Sequence, residues 1–336
     1  MSTVNNGWNE ITEEEKQSIE KCFDVSQIKD LVRHDSGFVI TRYFAEHLQD
    51  RVRNFELRDD DIWIVTYPKS GTTWTQELVW MLINEVDQEQ AQTPQFLRSP
   101  FLECAAVNSL EFLTQVGKRP DHAELCRALA DPLHFLDTVE GRRVIKTHLP
   151  FEFLPPQLLE TCKVIYVARN PKDVVVSYYH HNVIIPGHGF VGNFDQFAQF
   201  FKEGPILYGN YWQHLLGGWN RRDHNNVMFL WYEDMKTDQE NIIDALCKFL
   251  DHPLPLKLKH DLLDHVRFDK MKRNPATNPS GALALPAGQD FMRKGQVGDW
   301  RNYFDKQMNE SWDKWILENI TDTGLQTIQH LISTHQ

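Results

Sequence analysis

Tyr67-Pro68-Lys69-Ser70-Gly71-Thr72-Thr73-Trp74 follows directly on the apolar run from Asp61 to Thr66 and opens a helical pattern that places Trp74, Leu78, Met81 and Leu82 on one face. A strand that turns straight into a helix presents the unsatisfied N–H groups of the helix start. With hydroxyls and one lysine beside them, these groups make a cradle for a phosphate or sulfate. The loop is not a Walker A motif, because Gly-x-x-x-x-Gly-Lys-Ser/Thr is absent and Lys69 precedes the glycine. A tight turn with a capping hydroxyl would also suit the segment, and Lys69 is the residue such a turn explains least.

The same order recurs downstream. Short β-branched runs at Arg143 to Lys146, Lys163 to Ala168 and Asn226 to Tyr232 alternate with amphipathic stretches, which predicts buried parallel strands joined by crossover helices. Asn170 is placed to cap the helix after the third run, with Pro171 in its first turn and Asp173 three residues after the cap. The expected fold is α/β, a single domain with a central parallel sheet flanked by helices. No internal repeat or Pro- or Ser/Gly-rich linker divides the chain. In such sheets ligands bind beyond the carboxyl ends of the strands. Two irregular stretches, Cys104 to Glu140 and Asn274 to Gln289, read as surface loops or lids.

The 336 residues carry 35 Lys and Arg against 47 Asp and Glu, a formal charge of −12, which argues against nucleic acid or an anionic membrane as a general partner. Any anion must be bound locally. The five cysteines lack a Cys-x-x-Cys pair and read as reduced thiols, neither a disulfide scaffold nor a zinc ribbon. Met1 to Lys16 is polar and acidic where a signal peptide needs an apolar core, and no apolar run approaches the ~18 residues of a membrane span. A cytoplasmic protein is expected.

Three more segments carry candidate chemistry. Phe291-Met292-Arg293-Lys294-Gly295 sets two adjacent cations beside a glycine, a second anion clamp, although a basic pair alone is usually a solvated loop feature. Arg169 ends a strand and Ser177 lies on the next helix, so both can face a ligand; a salt-bridged arginine and an exposed serine would be the plainer account. Lys146-Thr147-His148-Leu149-Pro150 follows another strand and offers a cation with an imidazole suited to general base work. The chain has 15 histidines, most of them expected to be structural. His180, His181 and His188 lack zinc-site spacing and read as lining a loop or pocket, and no acidic ligand set for a metal is visible.

Together these segments resemble the cytosolic sulfotransferase family, from about Phe38 to the region of Asn309, with the most specific likeness at Tyr67 to Trp74 and Arg293 to Trp300. The resemblance implies a P-loop-kinase-like sulfotransferase fold over residues 38–336, preceded by an N-terminal extension over 1–37. It also implies 3′-phosphoadenosine 5′-phosphosulfate (PAPS) as donor, 3′-phosphoadenosine 5′-phosphate (PAP) as product and no metal. By position, Lys69, Ser70, Gly71, Thr72 and Thr73 would surround the 5′-phosphosulfate. Arg169, Ser177, Arg293, Lys294 and Gly295 would bind the 3′-phosphate, with Phe291 and Met292 beside them. Trp74 and Phe268 would sandwich adenine, and Tyr232 is a further donor-site position. His148 would be the base, with Lys69, Lys146 and Ser177 completing the catalytic set.

Some positions depart from the family pattern. Val266 stands where a polar contact to the nucleotide is common, and Arg301, Asp305-Lys306 and Glu310 replace the C-terminal dimer motif with charges, which argues against that dimer. The long stretch between Pro100 and Lys146 resembles the retinol dehydratase branch. Phe96, Phe101, Phe112, Tyr178, Tyr179 and Phe190 suggest an apolar acceptor such as a phenol, steroid or isoprenoid alcohol. A lyase acting through a transient sulfate ester would share every site. A kinase is disfavoured by the missing Walker lysine, and a non-catalytic nucleotide binder by the pairing of His148 with Lys69.

Overall fold

The computed structural model describes residues 7–24, 30–107, 123–185, 187–281, 285 and 288–325. The chain enters through a small antiparallel sheet of β1 (Trp8–Glu10), β2 (Leu31–His34) and β3 (Val39–Thr41), with β2 in the middle. These pairings run across position 38. Trp8 anchors the sheet, its ring packed against His34, Phe38, Phe44 and Phe153.

The central sheet is made of β4 (Ile62–Thr66), β5 (Val144–Thr147), β6 (Lys163–Ala168) and β7 (Val227–Trp231), parallel throughout, in the order β5-β4-β6-β7. β4, β6 and β7 lie within the runs expected from the sequence, and β5 extends one residue past its run, to Thr147. Their apolar character on both faces has a direct cause. Ile62, Ile64, Ile165 and Val167 point into the layer that holds Leu78 and Leu82 of helix Thr72–Ile83, while Trp63, Val65, Val164 and Tyr166 point into the opposite layer. At the far edge from the site, Arg143 grips Asp61 through two bonds of 2.6 Å, a fully buried fork that locks the starts of β4 and β5 together.

β4 has β5 on one side and β6 on the other, with Val65 level with both Thr147 and Tyr166. The loops leaving these three strands therefore emerge side by side. Asn170 caps helix Pro171–Ile184, accepting from the Lys172 amide at 2.9 Å. Asp173 turns its carboxylate outward instead and accepts from the amides of Gly298 (2.6 Å) and Trp300 (3.1 Å), fixing a distant loop to this helix start. The buried Lys172 ammonium holds Asn309 and Asp313 of helix Lys306–Ile320, each at 2.6 Å. The charged residues in the dimer-motif region have local work: Asp305 caps that helix through the Met308 amide at 2.7 Å, and Lys306 lies 3.9 Å from Glu310 one turn on.

The first irregular stretch contains helices Cys104–Val107, Ala123–Ala130 and Pro132–Thr138. The second contains a 3₁₀ turn at Pro279–Gly281. Part of each expected lid lies outside the described residues. Among the described residues, no helix is long and apolar enough to cross a membrane.

Candidate active site

The loop after β4 is shaped by two left-handed residues, Lys69 (φ 68°) and Gly71 (φ 101°). Gly71 also has no room for a side chain: a Cβ there would lie 2.6 Å from the Tyr232 ring at the end of β7. Thr66 and Thr72 join hydroxyls across the turn at 2.7 Å. Trp74 meets Tyr232 edge-on at 5.7 Å, and the Lys236 ammonium lies 5.3 Å from the Trp74 ring centre.

This loop forms one wall of a cavity of about 400 Å³ at the carboxyl ends of the strands. Every catalytic and donor-binding residue singled out in the sequence lines that cavity except Ser70, which is fully buried. Arg169, at the end of β6, ties the walls together: its guanidinium donates to the carbonyl of Lys69 and to that of Gln296, both at 3.0 Å, and lies 4.4 Å from the Tyr232 ring centre. Gly295 is forced by contact as well, since a Cβ would sit 2.2 Å from the Phe268 ring.

Arg293 and Lys294, expected as an anion clamp, both pair with Asp299, at 2.6 and 2.7 Å. Burial works against the Asp299 carboxylate, but hydrogen bonds from Lys294 and Arg293 hold it down at about 2. Four buried donors of the predicted site residues have no hydrogen-bond partner among the described residues: the Ser70 hydroxyl, Trp74 Nε1, Arg169 Nε and Arg293 Nη1. Unmatched donors beside a cationic wall fit an anionic nucleotide.

On the opposite wall His148 Nδ1 lies 2.8 Å from the carbonyl oxygen of Thr66. A carbonyl only accepts, so Nδ1 carries the proton and Nε2 is the basic nitrogen. Burial, with the Lys146 charge nearby, holds the imidazole well below its usual range and thus neutral. The backbone beneath it rests on Glu103, which accepts from the His148 amide (2.7 Å), the Thr147 hydroxyl (2.8 Å) and the Tyr208 hydroxyl (3.2 Å). Burial pushes Glu103 up to about 7 against those bonds. The Lys146 ammonium lies over the Phe101 ring at 3.8 Å; burial lowers it to about 8, with Glu103 opposing. Lys69 falls to about 7 through burial and then the charges of Lys146, Arg169 and Arg293.

Phe96, Phe101 and Tyr178 line the cavity, as do His180, His181, His188 and the buried Val266. Tyr179 and Phe190, expected with them, instead pack edge-to-face in a cluster with Phe194 and Phe197. Phe112 lies outside the described residues. Sequence reasoning assigned no role to Glu103, Tyr208, Gln296 or Asp299. Only Gln296 and Asp299 carried a signal, their place in the stretch Arg293 to Trp300 next to the basic pair. Among the described residues no group of three or more His, Cys, Asp or Glu could hold a metal ion.

Comparison with known proteins gives this geometry its chemistry. The chain is 36% identical over 291 residues to luciferin sulfotransferase of Photinus pyralis, covering 83% of this chain and 76% of that protein. It is also 36% identical over 294 residues to human sulfotransferase 1E1, covering 86% and 93%. The crystal structure of retinol dehydratase with androsterone and the inactive cofactor PAP superposes with a TM-score of 0.85 at 30% identity, over 94% of this chain and 96% of that one. Residues 59–324 match the sulfotransferase domain, and the chain therefore belongs to the sulfotransferase family, whose sulfuryl donor is PAPS.

Proposed function

We propose that the cavity transfers the sulfuryl group of PAPS to the hydroxyl of a small apolar acceptor, with His148 as general base. The observation that carries this reading is the Thr66 carbonyl bond to Nδ1, which leaves Nε2 as a neutral base in a cavity that also contains Lys69 and Lys146. His148 takes the acceptor's proton as the hydroxyl oxygen forms its bond to sulfur and the bond from sulfur to the departing phosphate oxygen breaks. Lys69 stabilises charge on that leaving oxygen, and Lys146 on the sulfuryl oxygens. The loop 69–73 holds the 5′ end of the donor, Arg169, Ser177, Arg293 and Lys294 hold the 3′-phosphate, and Trp74 and Phe268 hold the adenine between them.

The acceptor lies on the side of Phe96, Phe101 and Tyr178, which favours an apolar body with one hydroxyl. A relative whose name cites luciferin and a neighbour crystallised with androsterone support that class. Cysteines without disulfide partners agree with a cytoplasmic location. Asp305, Lys306 and Glu310 already serve their own helix, which supports an assembly that does not use the family's C-terminal dimer contact.

The test is a PAPS-dependent assay over phenols, sterols and retinoids with products identified by mass. A sulfate ester is expected; a dehydrated polyene from retinol would assign the lyase reaction instead. His148→Ala should lower kcat by about 10²–10⁴-fold while PAP affinity by calorimetry is kept. Loss of PAP affinity in that variant would remove the base role from His148.

A further inference from the structure

Lys69 lies on a loop of fixed shape, yet among the described residues no ion pair joins its ammonium to a carboxylate. Its contacts are the face of Phe291, 4.4 Å from the ring centre, and His181 Nδ1 at 3.3 Å. His181 stands one turn beyond Ser177 on helix Pro171–Ile184, so both side chains share the face that lines the cavity. On the sulfuryl-transfer reading above, we propose that His181 is a positioning residue for Lys69, its Nδ1 accepting a hydrogen bond that favours the charged form of the lysine and holds it toward the donor's leaving oxygen.

An ammonium only donates, so with Lys69 charged the 3.3 Å contact requires Nδ1 to be bare and places the imidazole proton on Nε2. A protonated His181 would set two cations against each other at that distance. The surroundings keep the ring neutral: burial acts first, then Lys69, His188, Lys146 and His148. The ring is held in place by His188 (4.9 Å, edge-on), Phe291 (5.8 Å) and Tyr178 (6.1 Å). Lys69 is faced by Lys146 from β5, Arg169 from β6 and Arg293 from the C-terminal loop, all of which oppose its charge. His181 supplies a lone pair in a ring of cations. Without it the lysine loses its proton at lower pH, and a neutral amine cannot stabilise the departing phosphate.

The experiment uses the full chain with His181→Phe, which keeps an aromatic ring without an acceptor, and His181→Asn, whose amide oxygen can occupy the Nδ1 position. The first readout is kcat/KM for PAPS between pH ~6 and ~9, which reports groups of the free enzyme. The second is proton uptake on PAP binding at pH 7, from calorimetry in two buffers of different protonation enthalpy. His181→Phe should move the alkaline limb down by about one unit and raise the uptake by about 0.4 proton, because Lys69 starts more nearly neutral. His181→Asn should restore both. Unchanged limb and uptake in His181→Phe, or equal displacement in the two variants, would overturn the proposal. Absence of sulfuryl transfer by the wild type would overturn the reaction assignment alone, and the calorimetric readout would still decide His181.

Discussion

Binding PAP to this protein at pH 8 should draw protons from the buffer, and Lys69→Met should remove most of that uptake. With Lys69 lowered to about 7 by burial and by Lys146, Arg169 and Arg293, about nine-tenths of the population carries a neutral amine at pH 8. Lys146, lowered to about 8 by burial, is about half neutral. A phosphate placed against these amines favours their charged forms and returns both toward the ordinary lysine range. The expected uptake is about 1.4 protons per PAP, falling to about 0.5 in Lys69→Met. The phosphates contribute little at this pH, because their second pKa is about 6 and they are already dianions. Isothermal titration in two buffers of different protonation enthalpy gives the number directly. The sign also fixes the pH trend: affinity declines as pH rises above 8, since the free protein then has fewer protons than the complex. Uptake below about 0.3 proton in the wild type, or equal uptake in wild type and Lys69→Met, would refute the claim that these lysines are discharged in the free site.

Two further substitutions probe the frame around those lysines. Gly71→Ala combines a left-handed φ with a contact of 2.6 Å to Tyr232, and should cost about 1–3 kcal/mol of stability in urea unfolding together with most PAP affinity. Lys294→Ala should weaken PAP by about tenfold, or ~1.4 kcal/mol, while barely changing affinity for the analogue without the 3′-phosphate; equal losses in a paired titration would count against the clamp.

The central sheet was legible because each strand is buried on both faces and so reads as an unbroken apolar run, as in Ile62 to Val65. The site loops were legible for a related reason: residues such as Lys69, Lys146 and Arg169 stand immediately after those runs. The N-terminal sheet was not, since Trp8–Glu10 and Val39–Thr41 are too short to show a period. Tyr179 could not be separated from Tyr178 by composition; adjacent helical residues point in different directions, and only the packing shows which of them meets the cavity. The ties of Asp173 to Gly298 and of Glu103 to His148 were silent because these partners lie 125 and 45 residues apart. Local pattern carries no trace of such pairs until the chain has folded.

On the proposed placement of the 3′-phosphate, Asp299 gives the mouth of the site a built-in competitor. Because a single negative charge already pairs with both Arg293 and Lys294, a visiting monoanion such as chloride offers little gain in charge. A dianionic phosphate offers twice the charge and more acceptor oxygens, so it can displace the carboxylate where weaker anions fail. On that reading the same rivalry would act on departure, with Asp299 reclaiming both cations and loosening the spent nucleotide. Selectivity against common cellular salts and ease of product exit would then share one side chain.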